Sequence, residues 1–501
     1  MRWTLGLALT LLLAPLPAQA EDPAPKTLDQ IAPEIDALFA KYQADAHIPG
    51  MVYGVVKDGK LAYVKGVGLQ DLTEKRAVTA DSRFRIASMT KAFTALAILK
   101  LRDDGKLRLD DLAEQHAPEM ERWVYPTKDS PRIRIRDLLH HVGGLVTDDP
   151  WGDRQQILSQ QDFTKMIAAG VPFSRAPQSA FEYSNYGYAL LGRIIANASG
   201  MAYADYVRQA ILTPLGMTSS GFDVTKTPKV HYARGYRWEN DAWAPEPEMI
   251  DGAFNAMGGM QVSANDYAKW VAFLLSAWPA RDDTDTGPVK RATVREMVQG
   301  LNFMAVANRI GASGAAACKQ AAAYAMGWRV AQDCDLGLTL AHGGGYPGYG
   351  SHVMLMPDHG VGVFALSNRT YAGPSAPAWD SAVAMDKAGL LTGRAERLTP
   401  AVTDAFAAIR AAYATGTLAP LDGKLAMNFL LDRSAESWAA ELATLRAEVG
   451  DCPIAEPLAP TGALSAAFRL NCAKGKLDGL LLLAPTTPAT IQALRLRVAV
   501  P

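Results

Sequence analysis

One octapeptide, Phe84-Arg85-Ile86-Ala87-Ser88-Met89-Thr90-Lys91, carries much of the information in this chain of 501 residues. It contains the chain's only Ser-x-x-Lys, and an apolar helical pattern continues from it towards Gly105, a residue type common at helix C-termini. Positions three apart share one face of a helix, so the Ser88 hydroxyl and the Lys91 amine are expected to meet. A serine hydroxyl becomes a good nucleophile when a base takes its proton, and a lysine in apolar surroundings can be that base. A chain of this length contains on the order of one Ser-x-x-Lys by chance, so the tetrapeptide needs support from elsewhere.

Strand patterns occur near both ends of the first 390 residues, with helical patterns between them. A helix is predicted from about 28 to 44, followed by a β-hairpin with strands at 51–56 and 61–67. Helices dominate from 84 to about 215. Short strands separated by turn residues follow at 326–330, 338–342, 353–356 and 361–366, and a helix at about 376–391 closes the region. This order predicts a mixed α/β (α+β) fold, in which one sheet is assembled from both ends of a domain around a helical middle.

The pattern restarts after Leu398. Helices extend to about residue 448, and strands are predicted at 463–471, 477–483 and 491–500. Residues 398–501 are therefore predicted to form a small α+β accessory domain. Its sequence shows no grouping of His, Asp, Glu or Cys that suggests chemistry, so packing or recognition is its default role.

The first twenty residues are typical of a secretory signal peptide. Arg2 supplies the positive end, residues 5–16 are almost wholly apolar, and Ala18-Gln19-Ala20 is a cleavage signal. A membrane anchor is the competing interpretation, but the apolar stretch is too short to cross a bilayer comfortably. Cleavage after Ala20 leaves a catalytic domain at 21–397, and we expect the mature protein to be periplasmic or secreted, without a membrane association.

The four cysteines fit an exported protein, because an even number permits disulfides in an oxidising compartment. Three connectivities remain open, of which Cys318–Cys334 with Cys452–Cys472 is the local one. A zinc site is disfavoured by the spacings and by the lack of clustered histidines. The bulk composition, with 49% hydrophobic and 20% charged residues and a formal net charge of −1, is that of an ordinary globular protein.

Two more motifs contain residue types suited to acyl transfer. Tyr183-Ser184-Asn185 is predicted to lie in a loop before the helical run 188–198, where tyrosine can relay a proton and asparagine can hold a substrate amide. His342-Gly343-Gly344-Gly345 is predicted to end a strand, where an exposed N–H near Gly345 can serve an oxyanion hole. Taken alone, each motif also fits a plain turn. A phosphate-binding glycine loop is disfavoured because no helix is predicted to follow.

In their order along the chain, Ser-x-x-Lys, Tyr-x-Asn and His-Gly-Gly, these motifs resemble the serine β-lactamase and penicillin-binding protein superfamily. The branch that the chain resembles most contains class C β-lactamases, D-Ala-D-Ala carboxypeptidases, D-aminopeptidases and related esterases. The resemblance spans about residues 30–390, and its supporting stretches are 84–91, 138–145, 181–187, 214–217 and 257–260. It implies an antiparallel β-sheet flanked by helices, with a helical subdomain.

The resemblance also implies catalytic roles. Ser88 becomes acylated, while Lys91 and Tyr183 handle its proton. The backbone N–H groups of Ser88 and Gly345 form the oxyanion hole.

Three further residues are implied to bind substrate: Asn185 through the substrate's acyl amide, and His342 and Gly344 on the glycine-rich strand. His342 stands where β-lactamases usually carry a lysine that attracts the substrate carboxylate. A histidine is largely neutral near pH 7. The departure favours a peptidase, amidase or esterase over a dedicated β-lactamase.

The expected function is that of an exported serine hydrolase, acting through an acyl-enzyme on small amides, D-amino-acid peptides or esters. A β-lactamase proper and a penicillin-binding-like sensor that does not turn over remain alternatives, the second because of the accessory domain. No cofactor or metal is expected, since the resemblance places the His140-His141 pair in a structural turn. Without a basic run the chain is not expected to bind nucleic acid. The expected partner is a small-molecule or peptide substrate.

Overall fold

The computed structural model of the protein describes residues 26–149, 151–309, 318–394 and 398–499. The predicted signal peptide lies outside these ranges. Within them, no helix has both the length and the apolar composition needed to cross a membrane.

Helices and strands alternate irregularly along the chain. The helices are α1 (Leu28–Asp45), α2 (Thr90–Asp103), α3 (Ala113–His116), α4 (Ile135–Leu139), α5 (Trp151–Arg154), α6 (Gln160–Ala169), α7 (Asn185–Ser199), α8 (Tyr203–Val207), α9 (Asn255–Gly258), α10 (Ala264–Leu275), α11 (Arg291–Met297), α12 (Ser375–Lys387), α13 (Pro400–Thr415), α14 (Phe429–Asp432) and α15 (Ala435–Val449). The strands are β1 (Gly50–Lys57), β2 (Lys60–Asp71), β3 (Arg76–Ala77), β4 (Phe84–Arg85), β5 (Tyr236–Glu239), β6 (Ala242–Pro245), β7 (Gln261–Val262), β8 (Asn302–Asn308), β9 (Lys319–Tyr324), β10 (Arg329–Asp333), β11 (Gly337–Tyr346), β12 (Tyr349–Met356), β13 (Val361–Ser367), β14 (Ile454–Ala455), β15 (Ala459–Gly462), β16 (Ser465–Cys472), β17 (Gly475–Ala484) and β18 (Thr490–Val498).

The first element illustrates how local sequence starts a helix. The hydroxyl of Thr27 accepts the N–H of Gln30, and the Gln30 side chain accepts the N–H of Thr27 at 2.7 Å. This reciprocal capping satisfies two N–H groups that the first turn leaves without partners. The hairpin β1–β2 follows, and both turn residues, Asp58 and Gly59, have positive φ angles as a tight hairpin requires.

The large sheet is antiparallel, in the order β3-β2-β1-β13-β12-β11-β10-β9-β8. β1 pairs with β13, so the sheet joins the two ends of the region as the sequence predicts. One face packs against α1 and α12 through side chains such as Phe39, Tyr53 and Trp379. The other face packs against α2, α10 and the helical middle, with Phe93 and Trp270 fully buried. The predicted mixed α/β fold class is confirmed.

Residues after 398 have a hydrophobic core of their own. Helices α13 and α15 cover a sheet in the order β14-β16-β17-β18, with β15 paired to β16. Ile409, Leu442 and Leu481 are among its buried side chains. The predicted domain boundary falls at residues 395–397, outside the described ranges, so the boundary itself stays a prediction.

The cysteines pair locally: Cys318 with Cys334, and Cys452 with Cys472. The first bridge links the start of β9 to the end of β10. The second links the approach to β14 with the end of β16. Of the three connectivities open at the sequence level, the structure adopts the local one.

Several predicted elements have other bounds in the structure. The predicted strand 326–330 is wrong in its first half, because β9 ends at Tyr324 and β10 begins at Arg329, with a turn at Gly327 between them. The predicted closing helix ends four residues early, at Lys387. The hairpin β5–β6 and the edge strand β8 were not predicted, since their apolar residues are few and partly exposed.

Candidate active site

The candidate nucleophile stands just before the first turn of α2. Ser88 lies in a turn of 3₁₀ helix at 87–89, and Ala87 before it has a φ of +48°, a conformation costly for a residue with a Cβ. Two neighbours hold this turn: the N–H of Ile86 donates to the Met260 carbonyl at 3.0 Å, and the Ser351 hydroxyl donates to the Ile86 carbonyl at 2.8 Å. The turn that presents Ser88 is therefore fixed by two distant segments.

Lys91 is completely buried beneath Ser88. Its Nζ lies 3.0 Å from the Ser88 Oγ, 2.7 Å from the Asn185 Oδ1 and 2.7 Å from the Met257 carbonyl oxygen. The last two are pure acceptors, whereas a hydroxyl can donate. A neutral Lys91 therefore donates its two N–H groups to the carbonyl oxygens and turns its lone pair to Ser88.

Burial also favours that neutral form. Desolvation lowers the pKa of Lys91 to about 8, although the carboxylates of Asp149, Asp153 and Asp148 act in the opposite direction. A lysine with a pKa near working pH can both take and return a proton.

Tyr183 provides a second contact to the nucleophile. Its hydroxyl donates to the Ser88 Oγ at 2.8 Å, and Lys91 Nζ lies 4.8 Å from the centre of its ring. Burial, followed by the charge of Asp149, raises the pKa of Tyr183 well above its usual value, so the phenol stays protonated. The ring packs 4.3 Å from that of His141, whose Nδ1 accepts the N–H of Ser184 at 3.1 Å.

Asn185 is the first residue of α7, where the sequence predicts a loop. Ser184 caps the helix, and Asp148 accepts the N–H groups of Asn185 and Tyr186 at 2.6 and 2.7 Å. The Asn185 side chain lies between two charges, because its Oδ1 accepts from Lys91 and its Nδ2 donates to Asp149. In this arrangement its amide orients Lys91, and its predicted contact with a substrate amide stays a prediction.

The glycine-rich segment lies inside β11 and does not end the strand as predicted. A Cβ on Gly344 would collide with the Ile86 carbonyl and the Ser351 hydroxyl, so only glycine lets β11 lie this close to the turn that carries the nucleophile. Gly345 and Ser88 line the same cavity. The predicted oxyanion hole between their N–H groups stays a prediction that this closeness supports.

His342 lies on the wall of the cavity and is uncharged. Its Nε2 is 2.9 Å from the Tyr324 hydroxyl, and its Nδ1 is 2.6 Å from the Gly343 carbonyl. Burial and the nearby charge of Lys91 lower its pKa to about 4. His342 therefore does not supply the positive charge of the lysine it replaces.

The catalytic cavity has a volume of about 400 Å³ and is lined by Ser88, Tyr183, His342, Gly343, Gly345, Thr147, Asp149, Asp153 and Tyr371. The predicted site residues thus come together from the turn before α2, from α2 itself, from the start of α7 and the residues just before it, and from β11. The sequence analysis did not single out Asp149, Asp153 or Tyr371. Asp149 and Asp153 could have been found from the sequence, because they lie in a short segment rich in aspartate, Asp148-Asp149-Pro150-Trp151-Gly152-Asp153.

Potential metal ligands do not gather at this cavity in the described ranges. The one grouping of three such residues there is Cys318, Asp333 and Cys334, and its thiols are consumed by the disulfide. In the adjacent His140-His141 pair, His140 Nδ1 contacts the Arg136 carbonyl and His141 Nδ1 accepts a backbone N–H.

The antiparallel sheet is joined from both ends of a domain. Beside it, the Ser-x-x-Lys motif faces a tyrosine from the helical side and a glycine-rich strand. These features define the β-lactamase and transpeptidase-like class of serine proteins. The chain belongs to the Beta-lactamase family, whose profile matches residues 35–385.

Two proteins of similar sequence support the assignment to this family. The chain is 30% identical to Protein flp of Staphylococcus aureus strain COL over 342 residues, covering 67% of this chain and 62% of the relative. It is 27% identical to Penicillin-binding protein 4* of Bacillus subtilis strain 168 over 325 residues, covering 62% of this chain and 66% of the relative. The chain thus matches less than two thirds of the length of either relative.

A solved structure supports the fold. The octameric penicillin-binding protein homologue from Pyrococcus abyssi superposes with a TM-score of 0.59 at 20% identity, covering 93% of this chain and 99% of the other. The likeness therefore extends beyond residue 398. The resemblance to the superfamily is confirmed, and the class C-like branch within it stays a prediction.

Proposed function

We propose that this protein is a serine hydrolase that forms an acyl-enzyme on Ser88 and acts on small amides, D-amino-acid peptides or esters. The observation that carries the proposal is the convergence of Lys91 Nζ, at 3.0 Å, and the Tyr183 hydroxyl, at 2.8 Å, on the Ser88 Oγ. A base and a proton donor within hydrogen-bond distance of one hydroxyl are the requirements for activating it.

The reaction then takes two balanced steps. As the Ser88 Oγ bonds to the substrate carbonyl carbon, its proton passes to neutral Lys91, and the carbonyl oxygen becomes an oxyanion facing the N–H groups of Ser88 and Gly345. The bond to the leaving group breaks as that group receives a proton, through the Tyr183 hydroxyl, from Lys91. Water repeats the sequence at the acyl carbon and frees Ser88.

The uncharged His342 guides the choice of substrate. A β-lactam carries a carboxylate, and the described residues that line this cavity include no lysine or arginine in place of the family's usual lysine. We therefore favour peptidase, amidase or esterase activity over a β-lactamase proper. Rapid, Ser88-dependent opening of a cephalosporin would reverse that order.

The test is intact-mass measurement after treatment with a fluorophosphonate, a reagent that phosphonylates activated serines. We expect one adduct on the native protein, none on Ser88→Ala, and the native result on Ser179→Ala, which removes an exposed serine outside the cavity. Hydrolysis of phenyl butyrate should follow the same pattern. An adduct on Ser88→Ala would refute the proposal, and labelling without hydrolysis of any ester, amide or peptide would favour the non-turnover sensor.

We also propose that the protein is exported. The predicted signal peptide supports this, as do the two disulfides, which persist in oxidising compartments. Expression of the full chain in a Gram-negative host should give a periplasmic or secreted protein that begins at Glu21. A cytoplasmic protein that retains Met1 would contradict the proposal.

A further inference from the structure

The walls of the catalytic cavity carry charge of one sign. Asp149 and Asp153 are its acidic lining residues, and no lysine or arginine is among the described residues that line it. Lys91 lies beneath the cavity floor, where its three polar contacts are already with protein atoms.

Asp153 is the more unusual of the two carboxylates because it is only 3% exposed. Its Oδ2 accepts the Tyr371 hydroxyl at 3.0 Å, while Oδ1 has no hydrogen-bond partner among the described residues. No basic side chain in those ranges lies within ion-pair distance of it. A buried carboxylate without a cation is costly, and most proteins avoid leaving one in that state.

Asp149 adds to that cost. It lies on the same wall and holds the Asn185 amide, and its negative charge, after burial, helps to raise the pKa of Asp153 to about 7. Asp148 differs, because both its oxygens accept N–H groups from the start of α7. Asp149 and Asp153 thus form an acidic wall with unused capacity to bind a cation.

The other described residues that line the cavity offer an anion no positive charge. His342 is uncharged, and the remaining lining side chains are hydroxyls or glycines. A substrate carboxylate in this cavity would face two aspartates without a cationic partner, whereas an ammonium group would find the free Oδ1 of Asp153.

We infer that the catalytic cavity selects acyl substrates that carry an ammonium group close to the scissile carbonyl, bound by Asp153 and Asp149, and that it rejects substrates with a carboxylate there. The inference rests on the proposed function, since it concerns the substrate of the same serine. It directs the search towards aminoacyl esters, aminoacyl amides and peptides with a free amino group next to the cleaved bond.

Three phenyl esters of nearly equal size test the inference: that of β-alanine, that of butyric acid and the monoester of succinic acid, which are cationic, neutral and anionic. The measurement is kcat/KM at pH 7.5 and low salt, from released phenol, divided by each ester's rate with hydroxide. We expect the cationic ester to exceed the neutral one by about tenfold, the gain typical of one charged hydrogen bond, and the anionic ester to be the slowest.

Substitutions at the acidic wall should remove the selectivity. In Asp153→Asn the ratio of cationic to neutral kcat/KM should fall to near one, and in Asp149→Asn it should fall part of the way. Both changes keep an oxygen to accept the existing hydrogen bonds. Because the ratio compares two substrates on one variant, a general loss of activity cancels. Asp129→Asn, an exposed change outside the cavity, should keep the native ratio.

The outcomes separate the two claims. If no ester is hydrolysed in a Ser88-dependent way, the proposed function fails. If phenyl butyrate is hydrolysed but the three esters react within twofold of one another, the function stands and the inference is wrong. Preference for the succinate ester, or a native ratio in Asp153→Asn, would also overturn it.

Discussion

The pKa of Lys91 can be changed without touching the lysine. Asp149 is the largest of the three carboxylate influences that raise that pKa against the lowering effect of burial. Replacing Asp149 with asparagine removes a negative charge that stabilises protonated Lys91. The sign follows directly: the pKa of Lys91 falls, and its neutral, base-competent form becomes available at lower pH.

The size of this change in pKa follows from the distance between Lys91 and Asp149, which contact the same side chain. The Asn185 amide contacts Lys91 through Oδ1 and Asp149 through Nδ2, which places the two charges about 6 Å apart. At an effective dielectric constant of about 20 they interact by about 3 kcal/mol. Because Asp149 is exposed on its other side, an effective dielectric constant of about 40, closer to that of water, is more appropriate. It gives about 1.4 kcal/mol, or a decrease of about 1 in the pKa of Lys91.

The assay is the pH dependence of kcat/KM for phenyl butyrate, a neutral substrate on which the charge of the acidic wall has no direct effect. The native enzyme should gain activity as the pH rises through about 8, the pKa of Lys91. In Asp149→Asn the midpoint should move to about pH 7, since Asp148 and Asp153 remain. Asp129→Asn should leave the midpoint unchanged.

An unmoved midpoint in Asp149→Asn would show that Lys91 is not the base that limits acylation. A midpoint that moves to higher pH would refute the electrostatic reasoning itself. A lower maximum rate at an acid-shifted midpoint would be consistent with it, because a weaker base transfers protons less effectively.

Three more changes have defined outcomes. Tyr183→Phe keeps the ring in place but removes the hydroxyl contact with the nucleophile, so kcat should fall by about 100-fold or more with an unchanged circular dichroism spectrum; near-native kcat would exclude Tyr183 from proton transfer. Gly344→Ala forces a Cβ against backbone and should lower the free energy of unfolding by about 2 kcal/mol or more. In Gly343→Ala the nearest neighbour of the new Cβ would be 3.7 Å away, so the loss of stability should be much smaller. Equal effects of the two changes on urea denaturation would contradict the close-approach argument. Replacing Cys452 and Cys472 with alanine opens a loop of 20 residues and should cost about 3 kcal/mol in the same assay; an unchanged denaturation midpoint would mean that the bridge adds no stability.

The local features of this protein were predictable from sequence. The hairpin β1–β2 follows from alternating residues around an Asp-Gly turn, and α2 follows from its apolar run and the glycine beyond it. Strand β13 was predicted to within one residue of its observed bounds, whereas the predicted strand 353–356 covers only the second half of β12. Strand β8 was not predicted, because an edge strand buries little and so lacks a strong apolar pattern.

The sequence by itself determined that Ser88 and Lys91 lie one helical turn apart, because that contact depends on residues three positions apart. Tertiary structure alone decided which form each group takes. Packing removes water from Lys91 and lowers its pKa, while partial burial of His342 and the nearby charge of Lys91 keep that histidine uncharged. It also decided that Asp149 and Asp153 face the nucleophile across one cavity. Such a meeting, between residues more than 60 positions apart, depends on chain packing that no local periodicity records.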